Sequence, residues 1–294
     1  MRRWLIFSLK IGVTLAALSW ALSRTSVSAM LDAVARMSAT APLVALLLLG
    51  SCVLVGAVRW REVIRAYGVE LLPPLGFLIH GYFVANFYNT LVPGNIGGDA
   101  LRGHAARGAF SNAADSYVAV LVERGFGLAA IVVLAGVGAW LSPAVPFWWA
   151  GPALLVAGGA LAVVSVATPW LMRKTARWLP ASLRGLVGEL TLPRANRALF
   201  IAMLWSIVTQ TFTVLASHVL VHDLDPNLRL IDSLAFIPIA SLSMYVPISL
   251  AGLGVREAAF VLLLGRVGVS PANATSGRSS KISHRWSVRR KKRI

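Results

Sequence analysis

Residues 86–102 follow an apolar run but combine helix breakers with polar side chains, and this stretch could bind a charged group. Its polar side chains are those of Asn86, Asn89, Asn95, Asp99 and Arg102. Its helix breakers are Pro93, Gly94, Gly97 and Gly98, which remove a backbone donor or permit close backbone approach. An arginine can hold a phosphate through two parallel hydrogen bonds, and free N–H groups at a helix start after the glycines would face the same anion. A carboxylate such as Asp99 could instead meet a cationic group.

A second stretch, residues 245–257, repeats the spacing of the first. The residues that correspond are Pro93, Gly98 and Arg102 in the first stretch and Pro247, Gly252 and Arg256 in the second. Each set is spaced by five and then four residues, and each proline follows a valine. Chance is one explanation in a chain with 25 Gly and 14 Pro. The alternative is an internal repeat, and paired broken segments in two halves of a membrane chain indicate a transporter's binding site.

The composition predicts an all-α polytopic membrane protein. The chain has 294 residues, 57% hydrophobic and 13% charged, with a mean hydropathy of +0.73, whereas soluble domains carry about 25% charged residues. The net charge of +17 could suggest a nucleic-acid partner, but the cations cluster between apolar segments and in a terminal run. Neither zinc-ligand spacing nor a nucleotide-binding loop is present, so we expect no nucleic acid, metal or cofactor. The single cysteine, Cys52, excludes an internal disulfide.

Apolar segments separated by basic ones predict about six or seven transmembrane helices plus two re-entrant broken-helix hairpins. The apolar segments are residues 4–22, 42–58, 75–92, 116–141, 147–169, 198–221, 232–250 and 254–267. Arg59, Arg61 and Arg65 follow the second segment and are expected in a basic loop. The first segment follows a basic start and could be a signal peptide. Because Lys10 interrupts it and further spans follow, we favour a retained first helix.

The distribution of basic residues predicts the orientation. The N-terminus and residues 59–74 and 171–197 are basic and should be cytoplasmic by the positive-inside rule, whereas residues 142–146 lack Lys and Arg and should lie outside. Residues 75–100 must then enter and leave the membrane on the cytoplasmic side, as a re-entrant hairpin. The second break would be entered from the outside. Two similar elements entered from opposite faces form an inverted repeat.

At both breaks, and at a Glu-Arg pair between them, the chain resembles the flippase-like family that includes the membrane domain of lysylphosphatidylglycerol synthases. The residues that match the first family motif are Asn89, Pro93, Gly94, Gly97, Gly98, Asp99 and Arg102. Those that match the second are Pro247, Gly252, Gly254, Arg256 and Glu257, with Ala251 where the family usually has Gly. Glu123 and Arg124 match an acidic residue–Arg pair early in the following span.

The resemblance implies a flippase-like transmembrane domain over residues 1–276, in a bacterial inner membrane, that moves charged or sugar-bearing lipids. The chain lacks the soluble aminoacyl-transferase domain of the full synthases, so we expect that it does not make the lipid. The family normally continues into another apolar helix after Ala274, whereas residues 277–294 are strongly basic here. We expect these residues to be a disordered tail that touches anionic lipid, or the product of a frameshift that removed a final span.

Glu123 and Arg124 lie about eight residues into an apolar span, where a charged side chain costs roughly 2.5–3.5 kcal/mol. Adjacent residues do not face each other on a helix, so the two should pair with different partners. The expected pairs are Asp99 with Arg124, and Glu257 with Arg102 or Arg256. The alternative to a binding role is a buried structural ion pair or an interfacial anchor.

Two classes of function remain open from the sequence, with a third possibility. The first is a lipid translocator whose headgroups cross through a polar cavity between the two breaks. The second is a membrane enzyme that acts on a lipid with Asp99 or Glu123 as acid or base, although the sequence offers no nucleophile–base pair and its histidines are scattered. The third is a non-transporting partner of a lipid synthase or glycosyltransferase. We favour the translocator, whose partners are membrane lipids with anionic or otherwise charged headgroups.

Overall fold

The computed structural model describes residues 27–91, 97–145, 149–178 and 181–242, and isolated positions at 12, 16, 19, 20, 23 and 147. Throughout these residues the regular structure is helical. The α-helices are α1 (Val27–Arg36), α2 (Thr40–Ala66), α3 (Leu75–Leu91), α4 (Gly97–Ala106), α5 (Ala113–Leu141), α6 (Ala150–Thr175), α7 (Ala181–Gly188), α8 (Asn196–Leu224) and α9 (Leu230–Leu242). Two short 3-10 helices, Arg107–Ala109 and Ala176–Trp178, follow α4 and α6.

Within the described ranges, four helices are long and apolar enough to cross a membrane. They are α2, α5, α6 with its extension to Trp178, and α8. Each has 27 or 29 residues, more than the roughly 20 that a membrane span needs. Helix α9 is apolar but shorter. The structure therefore confirms the all-helical membrane class that the composition predicts.

Helix α5 lies at the centre of the bundle. In its most apolar window 72% of the residues are buried, against 28% or less in α2, α6 and α8. Glycines allow its neighbours to come close on two sides. A Cβ at Gly138 would overlap the backbone of Leu234 and Ala235 in α9, and one at Gly125 would overlap Ser165 in α6. Small residues let membrane helices approach in this way.

The two basic segments that flank the membrane spans lie together at one end of the bundle, which we call the arginine-rich end. Its cations are Arg61, Arg65, Arg173, Lys174, Arg177, Arg184, Arg194 and Arg197. The backbone N–H of Arg194 donates to the carbonyl of Ala66 at 2.8 Å, and the N–H of Thr191 donates to Asp115 Oδ1 at 2.9 Å. These bonds join the end of α2 and the start of α5 to the segment that leads into α8.

The opposite end of the bundle carries several of the acidic residues. Ser38, just before α2, donates from its hydroxyl to Asp223 Oδ1 at 2.6 Å. Ser142, just after α5, donates to Asp232 Oδ1 at 2.5 Å. Residues 142–145 therefore lie at the end away from the basic segments.

The two ends of the segment that contains the first break, Tyr67 and Phe110, lie close together. The ring of Tyr67, which precedes α3, meets the ring of Phe110, which follows α4, edge to face with centroids 5.8 Å apart. Helices α3 and α4 also pack against each other. Tyr67 and Phe110, which flank α3 and α4, thus lie together at the arginine-rich end.

The expectation of a basic loop beginning at Arg59 was wrong. Helix α2 continues through Arg59, Arg61 and Arg65 to Ala66, and Arg59 is buried. The helix ends where Gly68 adopts a left-handed φ of 77° and donates to the carbonyl of Arg65 at 3.0 Å. A buried arginine is tolerated here because a carboxylate from another helix pairs with it.

Other expectations fall outside the described residues. These concern the second break at 245–257, the apolar segment 254–267, the tail 277–294 and, apart from isolated positions, the first apolar segment 4–22. The predicted inverted repeat depends on the second break, so it also concerns residues outside the described ones.

The close contact at Gly138 yields the first prediction. Gly138→Ala should destabilise the protein by about 1–3 kcal/mol, because the added methyl would overlap the α9 backbone. Gly159→Ala in α6 is the matched control, since nothing lies within 4 Å of a Cβ there and alanine favours a helix. The thermal midpoints of both variants in detergent, measured by fluorescence-detected gel filtration, test this prediction. Equal midpoints for both variants would contradict the packing of α9 on α5.

Candidate functional site

The carboxylate of Glu123 lies fully buried in the middle of the bundle, on α5. Its Oε1 accepts from Arg59 Nη2 at 2.5 Å and from Arg59 Nε at 2.9 Å. Its Oε2 lies 2.7 Å from Arg102 Nη1, close enough for an ion pair but not aligned for a hydrogen bond. The hydroxyl of Tyr82 also donates to Oε1. Side chains from α2, α3 and α4 therefore converge on one carboxylate.

Arg102, on α4, contacts two aromatic rings and two carboxylates. Its guanidinium lies over the rings of Tyr82 and Trp60, at 4.3 and 4.8 Å from the centroids, a favourable arrangement for a cation. Its Nη2 donates to Asp99 Oδ1 at 3.1 Å. Its Nε is buried without a hydrogen-bond partner among the described residues. The ring contacts and ion pairs thus hold the side chain in place while its buried Nε remains available as a donor.

Asp99 joins α4 to α5 through Arg124. The Nε of Arg124 pairs with Asp99 Oδ2, so the ion pair that the sequence predicts between these two residues is present. Glu123 and Arg124 do pair with different partners, as their adjacency on one helix requires. Among the described residues, the carboxylate closest to Arg102 is that of Glu123. The expected pairing of Glu257 with Arg102 or Arg256 lies outside the described residues.

We call these six residues the charged cluster. They are Arg59, Tyr82, Asp99, Arg102, Glu123 and Arg124. The cluster holds three arginines and two carboxylates, so among the described residues it carries one positive charge in excess. Arg124 is the least buried of its arginines, with 34% of the side chain exposed, against 10% for Arg59 and 3% for Arg102.

A cavity of about 200 Å³ opens beside the charged cluster. Its walls come from α2, α3, α4, α5 and α8. The lining residues are Arg59, Tyr82, Ala85, Asn86, Asn89, Asp99, Arg102, Arg124, Gly127, Thr209 and Gln210. We call it the central cavity. Its polar lining consists of guanidinium, amide and hydroxyl groups together with a single carboxylate, a set rich in hydrogen-bond donors.

The glycines of the first break bring α4 close enough to form this wall. The N–H of Gly98 donates to Asn89 Oδ1 at 2.9 Å, and a Cβ at Gly98 would overlap the carbonyl of Ala85 in α3. Gly97 is the first residue of α4, and Asp99 lies in its first turn, where a carboxylate is favoured by the helix dipole. The break therefore holds Asp99 and Arg102 against α3.

The structure brings together most of the predicted site residues that it describes. Asn86, Asn89, Asp99, Arg102 and Arg124 line the central cavity, Glu123 lies behind them, and Gly97 and Gly98 form the helix start. The remaining predicted residues, Pro93, Pro247, Gly252, Gly254, Arg256 and Glu257, lie outside the described residues.

Sequence reasoning missed Arg59, Tyr82 and Gln210. Arg59 carried a signal, because no glycine, proline or asparagine lies between it and Ala66 to end the helix. Continuing the helix would have placed a charged residue inside an apolar span, where charges mark functional sites. Tyr82 and Gln210 carried no comparable signal, since single polar groups in long apolar runs are common.

The model of the family described as "Lysylphosphatidylglycerol synthase TM region" matches residues 7–277 of the chain. The chain belongs to this family. The match includes both breaks, the Glu123-Arg124 pair and every helix described above. A search of curated proteins gave no match.

In this lysylphosphatidylglycerol synthase TM-region protein, the charged cluster is suited to binding an anion. Burying charges is costly unless they are paired, and both carboxylates already pair with arginines. Among the described residues, no group of three His, Cys, Asp or Glu could hold a metal ion. The donors that face the cavity, together with the excess positive charge, would attract a phosphate more readily than an amine.

The second prediction concerns the buried carboxylate. Glu123→Gln should lower the free energy of unfolding by about 3–5 kcal/mol, because it leaves Arg59 and Arg102 as buried charges without their shared partner. Glu70→Gln makes the same chemical change at an exposed position and should be near neutral. Thermal midpoints in detergent provide the measurement. A midpoint for Glu123→Gln equal to that of Glu70→Gln would show that the ion pairs do not hold the bundle together.

Proposed function

We propose that this protein moves a phospholipid across the bilayer of a bacterial inner membrane, with the headgroup passing through the central cavity. The observation that carries the proposal is the donor-rich cavity beside a cluster with one excess positive charge, inside helices long enough to span a membrane. A lipid phosphate carries one negative charge and would balance that excess. The acyl chains would stay in the surrounding bilayer.

Each polar side chain of the central cavity has a role in this proposal. Arg124 would meet the phosphate first, because it is the most exposed arginine of the cluster and can exchange Asp99 for the lipid anion. Arg102 would contribute the buried Nε donor. The amides of Asn89 and Gln210 would donate to the oxygens of the headgroup. Glu123 would position Arg59 and Arg102 without touching the lipid.

We propose further that residues 75–100 form a re-entrant hairpin entered from the cytoplasmic side. The contact between Tyr67 and Phe110 supports this topology. Helix α4 has only 10 residues, about half of what a span requires. The arginine-rich end would be cytoplasmic by the positive-inside rule. A broken helix at this depth is tolerated only where it lines a polar cavity or is covered by protein.

The hairpin predicts the accessibility of single cysteines in a Cys52→Ser background. Glu70→Cys and Gly108→Cys should be labelled by an impermeant thiol reagent from the cytoplasmic face, because both residues are exposed at the arginine-rich end. Pro143→Cys, exposed at the opposite end, should be labelled from the other face. Labelling of positions 70 and 108 from opposite faces would rule out the hairpin.

Enzymatic action with Asp99 or Glu123 as acid or base is the alternative class. Asp99 is held by Arg102 and Arg124, and Glu123 by Arg59 and Arg102, which favours binding over proton transfer. For a role as a partner of a lipid synthase or glycosyltransferase, the part of the chain that the structure describes offers no specific contact.

Translocation is tested in liposomes with fluorescent phosphatidylglycerol and an impermeant quencher. The wild-type protein should expose label from the inner leaflet faster than protein-free liposomes do. Arg124→Gln should slow this by roughly tenfold or more, because a hydrogen bond to a charged group contributes about 1.5–3 kcal/mol. Arg107→Gln removes an exposed arginine outside the cavity and should retain the rate.

Two further readouts separate the alternatives in the same liposomes. The protein should not accelerate the translocation of a fluorescent diacylglycerol glycolipid that lacks a phosphate. Mass spectrometry of the recovered lipid should find it unchanged. Chemical conversion of the lipid would favour the enzyme, and an unaltered rate for Arg124→Gln would show that the central cavity is not the path.

A further inference from the structure

A second polar cavity lies at the arginine-rich end, away from the charged cluster. Its volume is about 460 Å³. Arg173 at the end of α6 and Arg194 in the segment before α8 both line it, together with Leu190, Thr191 and Leu192. It shares no lining residue with the central cavity. We call it the peripheral cavity.

The wall of the peripheral cavity is fixed by the residues around it. The N–H of Thr191 donates to Asp115 Oδ1 at 2.9 Å, and the N–H of Arg194 donates to the Ala66 carbonyl at 2.8 Å. The side chain of Leu190 is buried. Backbone bonds to two different helices therefore hold the segment that carries Arg194, so the cavity does not need to be organised by a ligand.

The charge around this cavity is strongly positive. Residues 171–197 hold six cations and one acid, Glu189, and Glu189 itself lines the cavity. Clusters of basic residues beside a membrane span attract anionic lipid, and basic pockets between membrane helices bind anionic headgroups. The surrounding charge thus selects an anion.

Exposed tryptophans indicate the depth of the peripheral cavity in the bilayer. Trp170, in the last two turns of α6, is 49% exposed, and Trp178, in the 3-10 helix that follows, is 80% exposed. Tryptophan is enriched at the boundary between hydrocarbon and headgroups. The Nζ of Lys174 lies over the Trp170 ring, 4.9 Å from its centroid. The cavity therefore opens at the level where lipid phosphates lie.

We propose that the peripheral cavity binds the headgroup of an anionic phospholipid that is not transported. The phosphate would lie between Arg173 and Arg194, and the partly exposed Leu192 would contact the glycerol and the first part of an acyl chain. This lipid would belong to the leaflet that meets the arginine-rich end. The proposal is independent of translocation through the central cavity.

Native mass spectrometry of the full chain in neutral detergent tests this proposal. Phosphatidylglycerol and phosphatidylcholine with the same acyl chains are added in parallel, and retained lipids are counted. Arg173→Gln/Arg194→Gln should lower retention of phosphatidylglycerol roughly tenfold or more. Arg173→Lys/Arg194→Lys keeps the charges and should retain most binding, which separates the charge effect from misfolding.

The matched control removes the same charge outside the cavity. Arg177→Gln/Arg197→Gln changes two exposed arginines of the same segment and should retain phosphatidylglycerol. Equal losses in both double variants would mean that only diffuse surface charge acts, and no loss in either would mean that the cavity is not a lipid site. Both results overturn the proposal.

Two further measurements in the same experiment identify the source of the phosphate and distinguish the peripheral cavity from the central cavity. Soluble glycerol phosphate at the same concentration should not displace the lipid, and displacement would overturn the assignment to a lipid. Arg124→Gln should keep the peripheral lipid even though translocation is slowed. Loss of this lipid in Arg124→Gln would place it in the central cavity and overturn the second site, whatever the outcome for translocation.

Discussion

The paired contact of Arg59 and Arg102 with the buried carboxylate of Glu123 is the interaction on which the bundle depends. A carboxylate at the centre of α5 can remain charged only if cations and donors surround it, because no bulk water is available there. The cations come from α2 and α4, and Tyr82 of α3 adds a hydroxyl. One buried residue therefore fixes the positions of three other helices. It also explains why α2 continues through Arg59 instead of ending before it.

The break in residues 86–102 positions Arg102 for the same contact with Glu123. A continuous helix would carry Arg102 away from α5, whereas the break lets the short helix α4 start beside Ala85 and turn Arg102 toward Glu123. Gly98 is required at the crossing because any side chain would overlap the α3 backbone. Asn89 satisfies one of the free N–H groups at the new helix start. The helix breakers are thus part of how the charges are assembled.

The sequence predicted the helical membrane class, the grouping of the basic segments at one end and the Asp99–Arg124 pair. These follow from hydropathy, charge distribution and adjacency on a helix, which are local properties of the chain. It did not predict that Arg59 enters the site, because that depends on Glu123, 64 residues further along the chain. The loop prediction treated arginine as a marker of the membrane surface. That rule holds for isolated cations and fails where a buried carboxylate supplies the partner.

The charged cluster also shows why stability and binding place opposite demands on its residues. For stability alone, equal numbers of buried cations and carboxylates would be best, and two arginines would be enough for the two acids. The third arginine, Arg124, leaves an excess charge among the described residues that a tightly packed interior could not hold at low cost. The excess is tolerable because Arg124 is partly exposed beside a cavity, where water or an anion can reach it. In the proposed translocation, Glu123 would therefore act chiefly in folding and Arg124 chiefly in binding, although the two are neighbours on one helix.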